Sequence, residues 1–247
     1  MHYEVESFGI SDLGLIRENN EDVFHEIPMH RFFVLADGMG GHNAGEIAAK
    51  ELVHHLSSSI CQIFSEEEKV TSSENLPDLL HKAILNANSW VHRLAEQKKE
   101  FHGMGTTLCC LLLHQEELIY AHVGDSRIYR FREQLFKITE DHSPAANAKN
   151  FAYPVGKHII TRAIGTSSLV EPEINTSSVQ PGDIYFLCSD GLTDYVSDEE
   201  ISTILTKQPC IKSATTDMIE RAKAKGGGDN ITVLMIRVLN AKNNLSG

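Results

Sequence analysis

Apolar residues recur at helical spacing in two stretches of the chain. Ile47, Ala48, Leu52, Val53, Leu56, Ile60 and Cys61 form one such face, and Leu79, Leu80, Ile84, Leu85, Val91 and Leu94 form another. Side chains three and four positions apart share one side of a helix, so each stretch predicts an amphipathic helix with one face to bury. Shorter apolar or β-branched runs at Phe32–Ala36, Thr107–Leu113, Leu118–Val123, Ile128–Phe131, Gln134–Ile138, Ile184–Cys188 and Ile231–Val238 predict strands. The connections His114–Glu117 and Arg132-Glu133 can turn a hairpin but cannot hold a crossover helix, so the sheets are expected to be mainly antiparallel. Two more helical stretches, Asp198–Thr206 and Ser213–Lys223, precede the last strand. Central sheets with helices outside would bury both kinds of face, which makes the expected class α+β.

Composition narrows the picture. The 247 residues are 41% hydrophobic and 23% charged, the balance of a folded chain and not of a disordered one. A single domain over residues 1–239 is expected, with a short polar tail at 240–247 and a solvated loop at Glu66–Ser73 between the long helices. The net charge of −12 repels phosphate backbones and anionic headgroups, so neither nucleic acid nor membrane is an expected partner. No apolar stretch approaches the roughly 20 residues of a membrane helix. Met1–Glu6 lacks the basic patch and apolar run of a secretory signal, which predicts a cytoplasmic protein. The five cysteines contain no C-x-x-C pair and read mostly as reduced core thiols.

The aspartates carry the chemical information. Asp37 follows Phe33–Ala36, Asp125 follows Ala121–Gly124, Asp190 follows Phe186–Ser189, and Asp229 precedes Asn230–Val233. Any one of these alone is most simply a turn former. Four carboxylates on one rim would need a cation, because burying them unpaired costs many kcal/mol. The glycines of Gly38-Met39-Gly40-Gly41 let backbone approach a ligand closely. A donor set made only of oxygen suits Mg²⁺ or Mn²⁺. A dinucleotide loop at Gly38–Gly45 is disfavoured, since Asn43 stands where the third glycine belongs. Arg17–Asp22, read blandly, is a polar loop before Val23. Read functionally, Arg17 offers a planar fork for a phosphate, while Glu21 and Asp22 add charge to the metal site or orient its waters.

Taken together, Arg17-Glu-Asn-Asn-Glu-Asp22, Asp37-Gly-Met-Gly-Gly-His42, Gly103-Met-Gly-Thr-Thr107, Val123-Gly-Asp-Ser-Arg-Ile-Tyr129, Glu140-Asp-His-Ser143, Thr161-Arg-Ala-Ile-Gly165, Ser189-Asp-Gly-Leu-Thr-Asp194 and Gly228-Asp-Asn230 resemble, in this order, the PP2C-like (PPM) metal-dependent serine/threonine protein phosphatases of the bacterial single-domain type. The resemblance runs from Ser7 to about Val238. It implies a four-layer α-β-β-α sandwich, two central and mainly antiparallel sheets flanked by helix pairs. It also implies hydrolysis of phosphoserine and phosphothreonine monoesters by in-line attack of a water bridging two Mn²⁺ or Mg²⁺ ions. Under it, Asp37 bridges the ions, the Gly38 carbonyl, Asp190 and Asp229 complete their ligands, Asp125 helps hold a weaker third ion, and Asp22 acts nearby through water. Arg17 grips the substrate phosphate. The implied partner is a phosphorylated protein, a Ser/Thr kinase or its targets; a monomer is expected because nothing in the chain resembles a coiled-coil seam.

Two departures from the family pattern stand out. The flap segment, here Pro144 to Ile160, is shorter than in bacterial relatives, and Met39 takes the place of a histidine found in animal-type relatives. The nearest histidine, His42, is a candidate general acid or simply a helix-start residue. A non-catalytic phosphoprotein-binding module of the same fold would be expected to lose a bridging aspartate. Asp37, Asp190 and Asp229 are all present.

Overall fold

The computed structural model describes residues 3–40, 44–65, 75–144 and 159–241. His42, the loop at 66–73, most of the flap (145–158) and the tail from 242 onward lie outside the described residues. Both long helical patterns form helices, α1 (Ala44–Ser65) and α2 (Leu76–Gln97). The apolar strand runs form β3 (Phe32–Met39), β5 (Leu108–His114), β6 (Glu117–Val123), β7 (Arg127–Phe131), β8 (Leu135–Lys137), β10 (Ile184–Cys188) and β11 (Ile231–Ala241). Helices α4 (Asp198–Lys207) and α5 (Ile211–Ala224) lie between the last two strands, after a single turn, α3 (Asp190–Thr193).

Four elements had no clear apolar signal: β1 (Tyr3–Asp12), β2 (Asp22–Ile27), the two-residue β4 (Gly105–Thr106) and β9 (Glu173–Ser178). Strands β1, β2 and β9 are sheet edges, where half of each strand faces water and a continuous apolar run is not required. The 17–22 cluster is accordingly not all loop, since Asp22 opens β2 opposite Asp37. Strand β3 continues past Ala36 to Met39 by pairing with β4, and β11 takes in residues 240 and 241 by pairing Ala241 with Tyr3.

One sheet has the order β1-β11-β10-β7-β8 and the other β2-β3-β5-β6-β9, with β4 beside β3, and every pairing is antiparallel. Side-chain alternation shows why the central strands read as unbroken apolar runs. In β3, Phe32, Val34 and Ala36 pack under α1 and α2, while Phe33 and Leu35 point into the space between the sheets. In β10, Ile184, Phe186 and Cys188 face α3 to α5, and Tyr185 and Leu187 face the other sheet. Strands covered on both faces need apolar residues at every position. The result is the α-β-β-α sandwich. Among the described residues no helix is long and apolar enough to cross a membrane. All five cysteines are free, with Cys109, Cys110 and Cys188 buried and Cys61 and Cys210 exposed.

Candidate metal centre

Strand direction gathers the aspartates. Strands β3 and β6 both pair antiparallel with β5, so they run the same way and Asp37 and Asp125 leave at one edge. In the second sheet β10 pairs antiparallel with β11, with Cys188 opposite Val233, which sets Asp190 after one strand beside Asp229 before the other. The two edges meet in a cavity of about 230 Å³ lined by Arg17, Asp37, Gly38, Asp125, Asp190 and Asp229. Glu21, Thr107, Ile160 and Asn230 are also part of its wall.

Backbone contacts hold each group. The Asp37 amide donates to Thr107 Oγ1 (2.9 Å), and Thr107 Oγ1 also lies 2.7 Å from Ser126 Oγ, so one threonine ties Asp37 to the residue after Asp125. Gly38 lies against the start of α1, where a Cβ would stand 2.2 Å from the Gly45 carbonyl oxygen. Asn230 fastens the N-terminal loop: its Nδ2 donates to the carbonyls of Leu13 (3.0 Å) and Asn19 (2.9 Å), and its Oδ1 accepts from the Glu21 amide (2.8 Å). That clamp brings Arg17 to Asp229, with Nη2 donating to Oδ2 at 2.8 Å. Thr107 and Asn230 were visible in the sequence only as members of motifs, because their partners lie tens to hundreds of residues away.

Helix α3 touches the 229–230 turn backbone to backbone. A Cβ on Gly191 would lie 2.0 Å from the Asn230 carbonyl oxygen. Gly191→Ala is therefore expected to push Asp190 away from Asp229 and to cost about 1–3 kcal/mol of stability. Urea unfolding together with Mn²⁺ titration checks this, and wild-type behaviour in both would contradict the packing argument.

The carboxylates are electrostatically uncomfortable by themselves. Burial, then Asp22, Asp190, Asp125 and Asp229, push the Asp37 carboxyl well above the usual range. Burial, then Asp125 and Asp229, raise Asp190 to about 7. Asp22 is not in the cavity wall but one layer behind it, 6% exposed. Its Oδ2 accepts from Ser189 Oγ at 2.7 Å, and its Oδ1 is buried without a hydrogen-bond partner. Burial raises it to about 6 in spite of hydroxyl groups from Thr232 and Ser189 that oppose the shift. Repelling buried carboxylates with all-oxygen chemistry are what a hard divalent cation requires, so the residues present fit Mn²⁺ or Mg²⁺.

Such a cleft on an α-β-β-α sandwich defines a class, the enzymes that use divalent cations held between two sheets. The chain belongs to the protein phosphatase 2C family, whose model matches residues 17–231. It is 34% identical to the serine/threonine phosphatase stp of Listeria innocua over 92% of this chain and 93% of that protein. Among solved structures, the Mycobacterium tuberculosis serine/threonine phosphatase PstP/Ppp superposes with a TM-score of 0.85 at 33% identity, covering 96% of this chain and 99% of that one. A PstP catalytic domain in complex with two manganese ions superposes equally well, with a TM-score of 0.85 at 34% identity over 97% of this chain and 100% of that one.

Proposed function

We propose that this protein is a metal-dependent serine/threonine protein phosphatase whose two Mn²⁺ or Mg²⁺ ions are held by Asp37, the Gly38 carbonyl, Asp190 and Asp229. The observation that supports it best is the convergence of those groups with Arg17 in one cavity. When bound, the ions supply the Lewis acidity that lets water attack phosphorus in line near neutral pH.

The chain's own residues do the rest. Asp37 and Asp190 place negative charge at the floor of the cleft. Arg17 is half exposed, 52% against 30% for Asp229, so its fork is free on the solvent side to take two non-bridging phosphate oxygens. There its fixed charge offsets charge moving toward the leaving alkoxide. Asp125, across the cavity, is the proposed contributor to a weaker third ion. Asp22, behind Asp37, acts on the site through charge and through Ser189. These roles belong to one catalytic domain, whose last strand runs two residues past the expected end at 239, to Ala241.

The partner we propose is a phosphorylated protein, a Ser/Thr kinase or its targets, in the cytoplasm. The charge of −12 supports a monomer, since strong like charge opposes self-association.

Hydrolysis of p-nitrophenyl phosphate and of a phosphothreonine peptide, with and without Mn²⁺, tests the proposal. Turnover is expected only with metal. Arg17→Ala should raise KM for the peptide roughly 10- to 100-fold, the worth of about 1.5–3 kcal/mol for hydrogen bonds to a charged group. A folded, Mn²⁺-loaded wild type inactive on both substrates would instead favour the phosphoprotein-binding module.

A further inference from the structure

We infer that His142 is a positioning residue that sets Asp125 in the cleft, an inference that rests on the phosphatase reading above. Gly124, directly before Asp125, has φ +104°, and a Cβ there would meet the Thr107 side chain at 2.7 Å. Both polar groups of this glycine are taken up by one residue. Its carbonyl accepts from the His142 amide at 2.8 Å, and its amide donates to His142 Nδ1 at 3.1 Å. On the other side of Asp125, Ser126 is held by Thr107. The aspartate thus sits between two fixed points.

His142 also reaches the opposite wall. Its carbonyl accepts from the Thr161 amide at 2.7 Å and from Thr161 Oγ1 at 3.0 Å, and Thr161 follows Ile160, which lines the cavity. The histidine side chain itself is 5% exposed. The motif Glu140-Asp-His-Ser143 therefore connects two parts of the cleft that are distant in sequence.

Its orientation has a cause. Because Gly124 donates to Nδ1, that nitrogen is the acceptor and the ring proton lies on Nε2, which faces Glu173 Oε1 at 3.1 Å. Glu173 in turn lies 3.6 Å from Arg162 Nη1. The His122 ring stacks on His142 at 4.5 Å between centroids, with its Nε2 2.8 Å from the Glu140 carbonyl.

His122, His142 and Glu173 have the composition of a metal site, with ligand atoms within 4.8 Å of one another. The hydrogen bonds speak against one. Both Nε2 atoms carry protons committed to oxygen acceptors, the His142 Nδ1 is taken by the Gly124 amide, and Arg162 adds positive charge beside them, so that His122 Nδ1, buried without a hydrogen-bond partner, is the one open nitrogen of the two rings. The cluster is a clamp: Glu173 fixes the His142 tautomer, and His142 fixes the peptide before Asp125.

The test is Mn²⁺ binding, followed by electron paramagnetic resonance on the full chain, for wild type, His142→Ala, His142→Asn, Asp125→Asn and the pair His142→Ala with Asp125→Asn. Supporting groups around metal ligands typically alter affinity about 10- to 100-fold. His142→Ala is expected to weaken the weakest Mn²⁺ step about tenfold, with no additional loss when Asp125 is already Asn. His142→Asn, which keeps an acceptor at the δ1 position for the Gly124 amide, should restore most of it.

Should His142→Ala fail to fold, Glu173→Ala replaces it, with rescue expected in Glu173→Gln. Wild-type Mn²⁺ binding in His142→Ala, or losses that multiply in the pair, would overturn the inference while leaving the phosphatase intact. A wild type that neither binds Mn²⁺ nor turns over substrate would instead remove the reading beneath it. Zn²⁺ retained by an Asp37→Asn, Asp190→Asn protein and lost on His142→Ala would overturn it in favour of a metal site.

Discussion

Asp190→Asn is expected to lower kcat/KM on the order of 10³-fold or more and, in the same protein, to raise the thermal midpoint of the metal-free state. The first effect follows from removing a cation ligand, since metal activation of the reacting groups is worth several kcal/mol. The second follows from the site's own repulsion. Asp190 lies where burial and the charges of Asp125, Asp229 and Asp194 hold its carboxyl up at about 7. An amide of the same shape takes away a charge that the empty fold does not welcome. Activity assays and thermal unfolding with excess chelator, run side by side, check both halves. A variant that is inactive but less stable than wild type without metal would place Asp190 in the scaffold and refute the electrostatic account.

Chelation of wild type should remove phosphopeptide binding together with turnover, and should destabilise the protein more at pH 8 than at pH 5. Without cations, the cleft faces an anionic substrate with the acidic groups of Asp37, Asp125, Asp190 and Asp229, and because Asp37 and Asp190 ionise late, that repulsion grows as the pH rises. Screening over about 8 Å leaves that near field in charge of binding. The pH dependence follows from proton linkage. Asp22 and Asp190 titrate at about 6 and about 7 in the folded protein, against 3.8 for the ordinary carboxyl. Below pH 4 both states hold these protons and the stability is complete. As pH rises, the unfolded chain releases them first, so stability falls until about pH 7, beyond which these two groups have no more to lose. Bound Mn²⁺ favours the ionised forms and should flatten that decline. Calorimetry at several pH values, with and without chelator, gives the slopes. A metal-free midpoint that climbs from pH 5 to pH 8, or tight phosphopeptide binding by a folded, chelated sample, would contradict this account.

What the amino-acid sequence determined by itself was set by local periodicity. The stripes of α1 and α2, the unbroken apolar runs of β3, β5, β10 and β11, and the hairpin connection at His114–Glu117 are short-range patterns, and each formed the element it predicts. Aspartates placed next to those strands, with glycine or serine beside them, made oxygen-ligand chemistry legible before any fold was known. The edge strands β1, β2 and β9 were silent because a half-exposed edge tolerates polar residues.

Only the tertiary structure decided which carboxylates share a cavity. Asp37, Asp125, Asp190 and Asp229 line it, whereas Asp22, adjacent to Asp37 in register, faces Ser189 behind the wall. Strand direction and register make that choice, and they depend on pairings between distant segments. The same holds for Asn230, which binds carbonyls more than two hundred residues away, and for His142, whose ring holds Gly124. A hydrogen bond across the fold leaves no periodic trace in the chain, because its two ends are brought together by burial of other residues.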